Sequence, residues 1–304
     1  MLAPLSGLVA APFTPFKANG ELALDIIPQL AKLLSKHNVG GAFICGTTGE
    51  GSSLSSPERR QIAESWRKAA PSDLKLTVHV GHLSAAESRS LARHAQDIGA
   101  DAIAAIAPSF FKPAGAAELI AWCSEVAGAA PKLPFYYYHM PSMTGVNIPV
   151  REFLAGVNGQ IPNLVGIKFT HEDLLDYADA HSFADGRYSL LFGRDEILLS
   201  GLRIGGAGAV GSTYNYAAPL FHRIIRAFRA GDFEAAGRDQ AKAQEFISVM
   251  ARFGGLPAGK AIMKLIGVDC GPVRLPLRTL TPAEETTLRE GLDACGFFEF
   301  ASRP

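Results

Sequence analysis

The sequence predicts an α/β fold, a (β/α)8 TIM barrel followed by a C-terminal helical appendage. Short apolar and β-branched runs alternate with helical patterns, which implies parallel strands joined by right-handed crossovers. Eight such units in roughly 230 residues match the size of a (β/α)8 barrel. An open doubly wound sheet is the alternative, but GTTGEG (46–51), after the second predicted strand, does not fit the GxGxxG pattern of a nucleotide-binding turn.

The predicted strands and helices follow one another along most of the chain. The strands are the runs at residues 5–11, 41–46, 75–81, 101–107, 134–140, 164–170, 188–193 and 208–213. Helical segments fill the gaps near residues 25–38, 57–70, 84–98, 115–129, 149–157, 172–183, 195–204 and 215–230. Ser56 before Pro57 predicts the cap of the second helix, and Gly99 predicts the end of the third.

The tail of the chain predicts further helices, at residues 232–253, 257–266 and 282–294. No low-complexity linker separates this tail from the last barrel unit. We therefore expect a barrel domain over residues 1–230 and a C-terminal helical extension over residues 231–304 that packs on it.

Composition excludes several classes of protein. The chain of 304 residues is 48% hydrophobic, which is ample for a large core. Its 29 basic and 29 acidic residues form no basic run, so nucleic acid is not an expected partner. No apolar segment is long enough to cross a membrane, and the first charged side chain is Lys17, so the positive start of a secretory signal is missing. With four cysteines and no CxxC pair, we expect reduced thiols and a soluble, cytoplasmic protein.

Polar side chains gather at the carboxyl ends of the predicted strands, where barrel enzymes hold their active sites. The second, fifth, sixth, seventh and eighth strands carry them, in the order Thr47, Thr48, Glu50, Tyr138, Lys168, Thr170, Asp195, Glu196, Ser212, Thr213 and Tyr214. We therefore expect these side chains to converge on one cavity at the mouth of the barrel.

One lysine stands inside the apolar run LVGIKFT (164–170). Because side chains alternate between the two faces of a strand, the apolar residues at 165, 167 and 169 are expected to pack under the outer helices. Lys168 then shares the inner face with Gly166 and Thr170, and Gly166 leaves room beneath the lysine. A lysine in a strand more commonly reaches the rim or pairs with a carboxylate, but the inward face and the surrounding polar strand ends favour a functional lysine.

A buried lysine is useful as a nucleophile. Free lysine has a pKa near 10.4, so only about one in 2,500 is neutral at pH 7, and burial lowers that pKa. A neutral Lys168 can attack a ketone to form a Schiff base, whose protonated imine is an electron sink for breaking or making a carbon–carbon bond. Tyr138, at the end of the neighbouring strand, is the candidate proton shuttle. Alternation places Tyr138 on the face of Tyr136 and opposite Tyr137, and an aromatic core is the competing interpretation of this run.

Three motifs carry a resemblance to a known family. GTTGE (46–50), YHMP (138–141) and GIKFT (166–170) resemble, in order and spacing, the carboxylate loop, the Tyr-x-x-Pro motif and the Schiff-base strand of the pyruvate-dependent class I aldolases. That family includes dihydrodipicolinate synthase and N-acetylneuraminate lyase, and the resemblance covers nearly the whole chain. The lyase branch is the more similar, by the segments FYYYHMPSMTGV (135–146), DLLDY (173–177), FGRDEILLSGL (192–202) and GAVGSTYNY (208–216).

The resemblance implies an aldolase that cleaves N-acetylneuraminate, a sialic acid, reversibly to pyruvate and N-acetylmannosamine. Lys168 would form the Schiff base with the C2 ketone, and Tyr138 would take the proton of the C4 hydroxyl as the C3–C4 bond breaks. The pyruvate-end carboxylate would be held by Thr47 and Thr48. The sugar hydroxyls would be bound by Thr170, Gly193, Asp195, Glu196 and Ser212. The resemblance implies neither a metal nor an organic cofactor.

Two positions depart from parts of that family. The synthases hold a substrate carboxylate with an arginine where this chain has Met143, which argues for an uncharged aldehyde partner. Some members place a tyrosine after the fourth strand that reaches a neighbouring subunit's site, whereas Phe110 stands there in this chain, so a hydroxyl relay between subunits is not expected. The family commonly forms tetramers, and on that analogy we expect a homo-oligomer.

The seventh and eighth strand ends have other interpretations. Asp195-Glu196 could simply complement the dipole of the helix that they begin. The glycine-rich stretch that ends at Gly211-Ser212 could be the phosphate loop of a sugar-phosphate enzyme, with Arg194 and Arg203 as its cations.

Five other charged or titratable positions are interpreted as structural or solvated. His79 and His82 lie on opposite faces of a strand, so packing is favoured over a metal site. Glu50 is expected to hold its loop rather than act as an acid catalyst. Lys260 and Lys264 lie one helical turn apart on the appendage and are expected to be solvated.

Three functions remain compatible with the sequence. The first is a sialic acid lyase, and the second is another pyruvate aldolase or dehydratase that acts on a different neutral 2-keto-3-deoxy sugar acid. The third is a non-catalytic barrel that binds a keto acid. The presence of both Lys168 and Tyr138 argues against the third.

Overall fold

Eight parallel strands form a closed barrel in the computed structural model, which describes residues 5–304. Neighbouring strands pair in chain order, and the last strand also pairs with the first. The strands are β1 Gly7–Ala10, β2 Gly41–Ile44, β3 Lys75–His79, β4 Ala102–Ile106, β5 Phe135–His139, β6 Leu164–Phe169, β7 Ser189–Phe192 and β8 Gly208–Gly211. The predicted fold class and all eight predicted strands are confirmed, while residues 1–4 of the predicted barrel domain lie outside the described residues.

The helices also follow the prediction to within a few residues. They are α1 Ile27–Lys36, α2 Ser56–Ala69, α3 Ala85–Asp97, α4 Ala116–Gly128, α5 Pro141–Thr144, α6 Val150–Val157, α7 Leu174–Ala184, α8 Leu198–Ile204, α9 Ala218–Arg229, α10 Phe233–Ala251, α11 Leu256–Leu265 and α12 Pro282–Ala294. The short α5 was not predicted, and a 3-10 turn at Asp195–Ile197 precedes α8. The cap of α2 is Ser55 rather than Ser56, because the Ser55 side chain accepts a hydrogen bond from the Glu58 N–H and the Glu58 carboxylate accepts one from the Ser55 N–H.

The interior of the barrel is filled by an apolar cluster distinct from the core between strands and helices. Its buried members are Leu5, Val9, Phe43, Ala102, Ala104, Tyr136, Tyr138, Leu191 and Val210. The Tyr136 hydroxyl accepts a hydrogen bond from the Leu5 N–H at 2.7 Å, at the end of the barrel opposite the mouth. Tyr137 belongs to the outer core, so the predicted alternation of the tyrosine run is confirmed.

The pairing of β5 with β6 contains one irregularity. Phe135 is opposite Leu164, but Tyr136 is opposite Gly166, so Val165 is skipped in the register. As a result Val165 packs against the inner cluster, and its predicted place on the outer face was wrong, because a bulge interrupts the alternation of side chains. Beyond the bulge the alternation resumes, and Lys168 lies directly opposite Tyr138.

The C-terminal extension contacts the barrel through both polar and apolar groups. On α10, the Gln240 side chain accepts a hydrogen bond from the Leu199 N–H at 2.9 Å and donates one to the Asp195 carbonyl at 3.1 Å. On α11, Gly259 lies against Phe13, so closely that an added Cβ would be 2.4 Å from the ring. The boundary between barrel and extension at residue 231 stays a prediction.

The helices within residues 5–304 were also compared with the length of a membrane span. None of them is both long and apolar enough to cross a bilayer.

Candidate active site

A cavity of about 220 Å³ opens at the carboxyl ends of the strands. All nine predicted site residues line it, namely Thr47, Thr48, Tyr138, Lys168, Thr170, Gly193, Asp195, Glu196 and Ser212. Nine of the eleven polar strand-end residues that were expected to converge line this cavity, whereas Glu50 and Tyr214 do not, and the role of each residue stays a prediction. The wall also includes residues that the sequence did not indicate, such as Met140 after β5 and Ile247 and Met250 on α10.

Lys168 points into the barrel, as the strand pattern predicted. Lys168 is only 4% exposed. Its Nζ lies 4.1 Å from the centroid of the Phe43 ring and 3.9 Å from the centroid of the Tyr138 ring. Gly166 lets β7 approach closely beneath it, since a Cβ there would be 2.1 Å from the Ser189 carbonyl oxygen. None of the ion pairs formed within residues 5–304 involves Lys168. The lysine is thus neither at the rim nor neutralised by an acid.

The surroundings of Lys168 favour the neutral amine. Burial lowers the pKa of Lys168, because the ammonium form loses its hydration inside the barrel. Tyr138 and the Asp195 carboxylate act in the opposite direction but do not cancel this effect. A larger fraction of the amine is therefore available as a nucleophile near neutral pH than in a solvated lysine.

Tyr138 connects the lysine to the loop after β2. Its hydroxyl donates a hydrogen bond to the Met140 sulfur at 3.0 Å and lies 3.4 Å from Thr47 Oγ1. Its ring packs edge-on against Phe43, 5.6 Å between centroids. The phenol thus lies beside both the amine and the threonine loop, where it can relay a proton.

The loop after β2, residues 45–51, is a tight turn with two residues in the left-handed region, Cys45 at φ 56° and Glu50 at φ 52°. Gly51 is needed there, because a Cβ would be 1.9 Å from the Cys45 carbonyl oxygen. The Thr14 hydroxyl donates to the Gly49 carbonyl at 2.7 Å. This geometry presents Thr47 and its neighbour to the cavity.

Glu50 is a buried structural carboxylate, as expected from the sequence. Its Oε2 accepts a hydrogen bond from the Arg274 N–H at 2.8 Å, and its Oε1 lies 2.8 Å from Lys260 Nζ. Lys260 is 3% exposed, so the prediction that it is solvated was wrong, because the helix face that carries it packs against this loop. Lys264, by contrast, is exposed and pairs with Glu285 at 2.9 Å.

The opposite wall of the cavity is built by the loops after β7 and β8. Asp195 is buried, and its Oδ2 accepts hydrogen bonds from the Thr213 hydroxyl at 2.6 Å and the Thr213 N–H at 3.1 Å. Its Oδ1 and Thr170 Oγ1 are buried without a hydrogen-bond partner among the described residues. Burial raises the pKa of Asp195, although the Thr213 hydrogen bonds oppose this. Gly193 allows the close approach of Thr170, since a Cβ would be 2.0 Å from the Thr170 hydroxyl oxygen.

The two arginines considered as cations of a phosphate loop, Arg194 and Arg203, contact other side chains instead. Arg194 Nη2 contacts Glu172 and lies 2.8 Å from Glu196 Oε1, so two carboxylates surround it. Arg203 is not part of the cavity wall, and its guanidinium lies 5.5 Å from the centroid of the Phe233 ring. The geometry therefore does not favour the sugar-phosphate interpretation.

The two histidines predicted in and after β3 have separate partners. His79 is buried, with Nδ1 3.1 Å from the Cys45 carbonyl oxygen and Nε2 accepting from the Ile106 N–H at 3.1 Å. His82 Nδ1 instead accepts from the Ser84 N–H at 3.0 Å. Burial places the pKa of His79 well below its ordinary value. Within residues 5–304, no group of three or more His, Cys, Asp or Glu side chains is placed to hold a metal ion.

Comparison with known proteins connects this geometry to a family. Residues 4–295 match the model of the dihydrodipicolinate synthetase family. The mouse N-acetylneuraminate lyase is 48% identical over 282 residues, covering 91% of this chain and 88% of the mouse protein. The Proteus mirabilis N-acetylneuraminate lyase structure superposes with a TM-score of 0.93 at 41% identity, covering 96% of this chain and 99% of that one. A Ruminococcus gnavus sialic acid aldolase structure, described as a catalytic lysine mutant, has a TM-score of 0.91 at 27% identity and covers 97% of both chains.

Proposed function

The chain belongs to the dihydrodipicolinate synthetase family, and within it we propose that the chain is a Schiff-base aldolase that cleaves N-acetylneuraminate reversibly to pyruvate and N-acetylmannosamine. The observation that carries the proposal is the Lys168 amine, which is buried, unpaired with any carboxylate of the described residues, and adjacent to an open cavity. The similarity to N-acetylneuraminate lyases over nine-tenths of the chain is the reason for proposing N-acetylneuraminate as the substrate.

The reaction begins at Lys168. The neutral amine attacks the C2 ketone of the open-chain sugar acid, and loss of water gives the imine. In its protonated form the imine withdraws electrons from the C3–C4 bond. Thr47 and Thr48, across the cavity floor, bind the C1 carboxylate of the keto acid and orient C2 toward Nζ.

Tyr138 then moves the proton that bond cleavage releases. The phenolate form of Tyr138 accepts the proton of the C4 hydroxyl, the C3–C4 electron pair flows into the imine, and N-acetylmannosamine leaves as an aldehyde. The phenol formed in this step is the acid for the next one. The remaining enamine takes a proton at C3, and water hydrolyses the imine to release pyruvate and the free Lys168 amine. The place of the phenol between Lys168 and Thr47 supports this role.

The sugar end lies against the loops after β7 and β8. Asp195 Oδ1 and Thr170 Oγ1 have free hydrogen-bonding capacity there, and carboxylate oxygens accept from sugar hydroxyls. Gly193, Glu196 and Ser212 complete this wall. None of these steps calls for a metal or an organic cofactor.

Two broader expectations belong to the same proposal. We propose a homo-oligomer, with the tetramer of the family analogy as its form, and the side chains of Phe110 and Phe111, 75% and 86% exposed, support burial against another subunit. We also propose a cytoplasmic location, which the four free cysteine thiols favour. Met143, 61% exposed, does not line the cavity, so its effect on aldehyde choice depends on such an assembly.

One experiment separates the candidate functions. Sodium borohydride treatment in the presence of pyruvate should add the mass of reduced pyruvate to Lys168, and no adduct on that residue would exclude both aldolase candidates. Pyruvate release from N-acetylneuraminate is then compared with release from a panel of other 2-keto-3-deoxy sugar acids. A faster rate with any other member of the panel would favour the second candidate.

A further inference from the structure

The C-terminal extension carries a buried cation that the reaction does not use. Lys260 on α11 is 3% exposed, although it lies outside the wall of the cavity. Its Nζ is 2.8 Å from Glu50 Oε1, donates to the Pro272 carbonyl at 2.6 Å, and lies 4.3 Å from the centroid of the Phe16 ring. Burial lowers the pKa of Lys260, and the Glu50 carboxylate opposes this shift.

Glu50 in turn belongs to the loop after β2, residues 45–51, and its contacts hold the backbone of that loop. Its φ of 52° is one that residues with a Cβ rarely adopt, so the conformation depends on contacts that hold it. Its Oε2 accepts a hydrogen bond from the Arg274 N–H at 2.8 Å, and its Oε1, which has no aligned hydrogen bond among the described residues, forms an ion pair with Lys260 Nζ at 2.8 Å. The Glu50 N–H donates to the Thr47 carbonyl at 3.0 Å. Glu50, whose side chain is anchored to the extension, is therefore joined through its main-chain N–H to Thr47, a residue of the cavity wall.

We propose that Lys260 and Glu50 are positioning residues that hold the Thr47-Thr48 loop in the conformation that binds the keto-acid carboxylate. Lys260, which lies outside the cavity wall, thereby affects the affinity for pyruvate without touching it. This inference rests on the proposed function, because it presumes that pyruvate is bound by that loop.

Stability alone does not account for such a pair. A buried ion pair is often no more stabilising than apolar residues of the same size, since both ions lose their hydration. The loop also has other hydrogen bonds that hold its general position, such as those of the Thr14 hydroxyl with the Gly49 carbonyl and of the Gly51 N–H with the Gly46 carbonyl. What the ion pair adds is a fixed orientation of Glu50, and misplacement of a binding group by a fraction of an ångström is enough to weaken a bound carboxylate.

The test compares Lys260→Met with Lys264→Met. The second variant removes a lysine from the same helix, one turn away, whose partner Glu285 is not part of the loop. The pyruvate concentration that gives half-maximal borohydride trapping is expected to rise about tenfold or more in Lys260→Met, with the maximal trapping rate within about twofold of the unmodified protein. Lys264→Met is expected to match the unmodified protein. In the condensation direction, the KM for N-acetylmannosamine is expected to stay within about twofold in both variants.

Glu50→Gln is the milder variant and carries the test if Lys260→Met does not fold. It keeps an acceptor for the Arg274 N–H but removes the charge that binds Lys260, and the half-saturating pyruvate concentration is expected to rise about threefold to tenfold. If the midpoint of thermal unfolding falls while the half-saturating pyruvate concentration stays unchanged, the inference is overturned and the pair has a purely structural role. An unmodified protein that fails to trap pyruvate at all would instead overturn the proposed function, and this inference with it.

Discussion

The two halves of the cavity differ in how their polar groups are satisfied. On the side of the β2 loop, Glu50 Oε2 accepts from the Arg274 N–H, Glu50 Oε1 lies 2.8 Å from the Lys260 ammonium nitrogen, and the hydroxyls of Thr47 and Tyr138 are 3.4 Å apart. On the side of the β7 and β8 loops, Asp195 Oδ1 and Thr170 Oγ1 are buried without partners among the described residues. Because buried polar atoms seldom lack a hydrogen bond, the proposed function predicts that the keto-acid half is formed in advance and that a bound sugar completes the other half.

Lys168→Ala should give the largest effect, because the lysine serves both halves. Turnover of N-acetylneuraminate is expected to fall at least about 10⁵-fold, since no other amine in the cavity wall can form the imine. Circular dichroism and the midpoint of thermal unfolding should show an intact fold. Retention of a substantial rate with a folded variant would contradict the covalent mechanism, and Lys264→Ala is the matched control.

Tyr138→Phe should damage cleavage more than imine formation. Removal of the phenol hydroxyl is expected to lower kcat about 10²–10⁴-fold, the range for loss of a general acid–base group. Imine formation needs only the amine and the carboxylate loop, so trapping of pyruvate by borohydride should fall much less. The two rates are compared in single-turnover measurements, and equal losses in both would remove the tyrosine from the proton-transfer step.

Asp195→Asn should weaken binding in the sugar half more than in the keto-acid half. One side-chain oxygen can still accept from Thr213, but the group facing the cavity changes from a carboxylate to a neutral amide. The KM for N-acetylneuraminate is expected to rise about 10–100-fold, as for loss of hydrogen bonds to a charged group. The pyruvate concentration that gives half-maximal borohydride trapping should change less than about twofold. A similar loss in both assays would mean that the two halves are not independent.

The pH dependence of imine formation should report on Lys168. Attack requires the neutral amine, so the trapping rate rises with pH by about tenfold per unit until the pKa of Lys168 is reached, and then levels off. Since burial lowers that pKa, the plateau should begin below the 10.5 of a solvated lysine. A rate that still climbs above pH 10.5 would contradict the burial argument. In Asp195→Asn the plateau should begin at lower pH, because the Asp195 carboxylate favours the ammonium.

Much of this architecture followed from local sequence patterns. Strand and helix periodicities depend on neighbours a few residues apart, which is why the eight strands and the inward direction of Lys168 were predicted. The site also converged as expected, because parallel strands in a barrel place all their carboxyl ends at one mouth.

The errors came from contacts between residues far apart in the chain. Lys260 was expected in solvent because its helix alone does not reveal Glu50, its partner from the loop after β2. The wall contributed by Ile247 and Met250 was missed for the same reason, since it depends on how α10 packs over the mouth. Val165 was placed on the wrong face because a single bulge shifts the register and leaves no clear signal in the sequence.

The packed floor of the barrel has a kinetic consequence. Leu5 and Tyr136 are buried in the inner cluster below the lysine and joined by a hydrogen bond, so under the proposed function keto acid, aldehyde and the water exchanged at the imine are expected to enter and leave at the mouth. In the synthetic direction an aldehyde that arrived first would sit above Lys168 and obstruct the smaller reactant. Under the proposed function, the shape of the chamber therefore predicts a reaction order in which pyruvate enters first and leaves last.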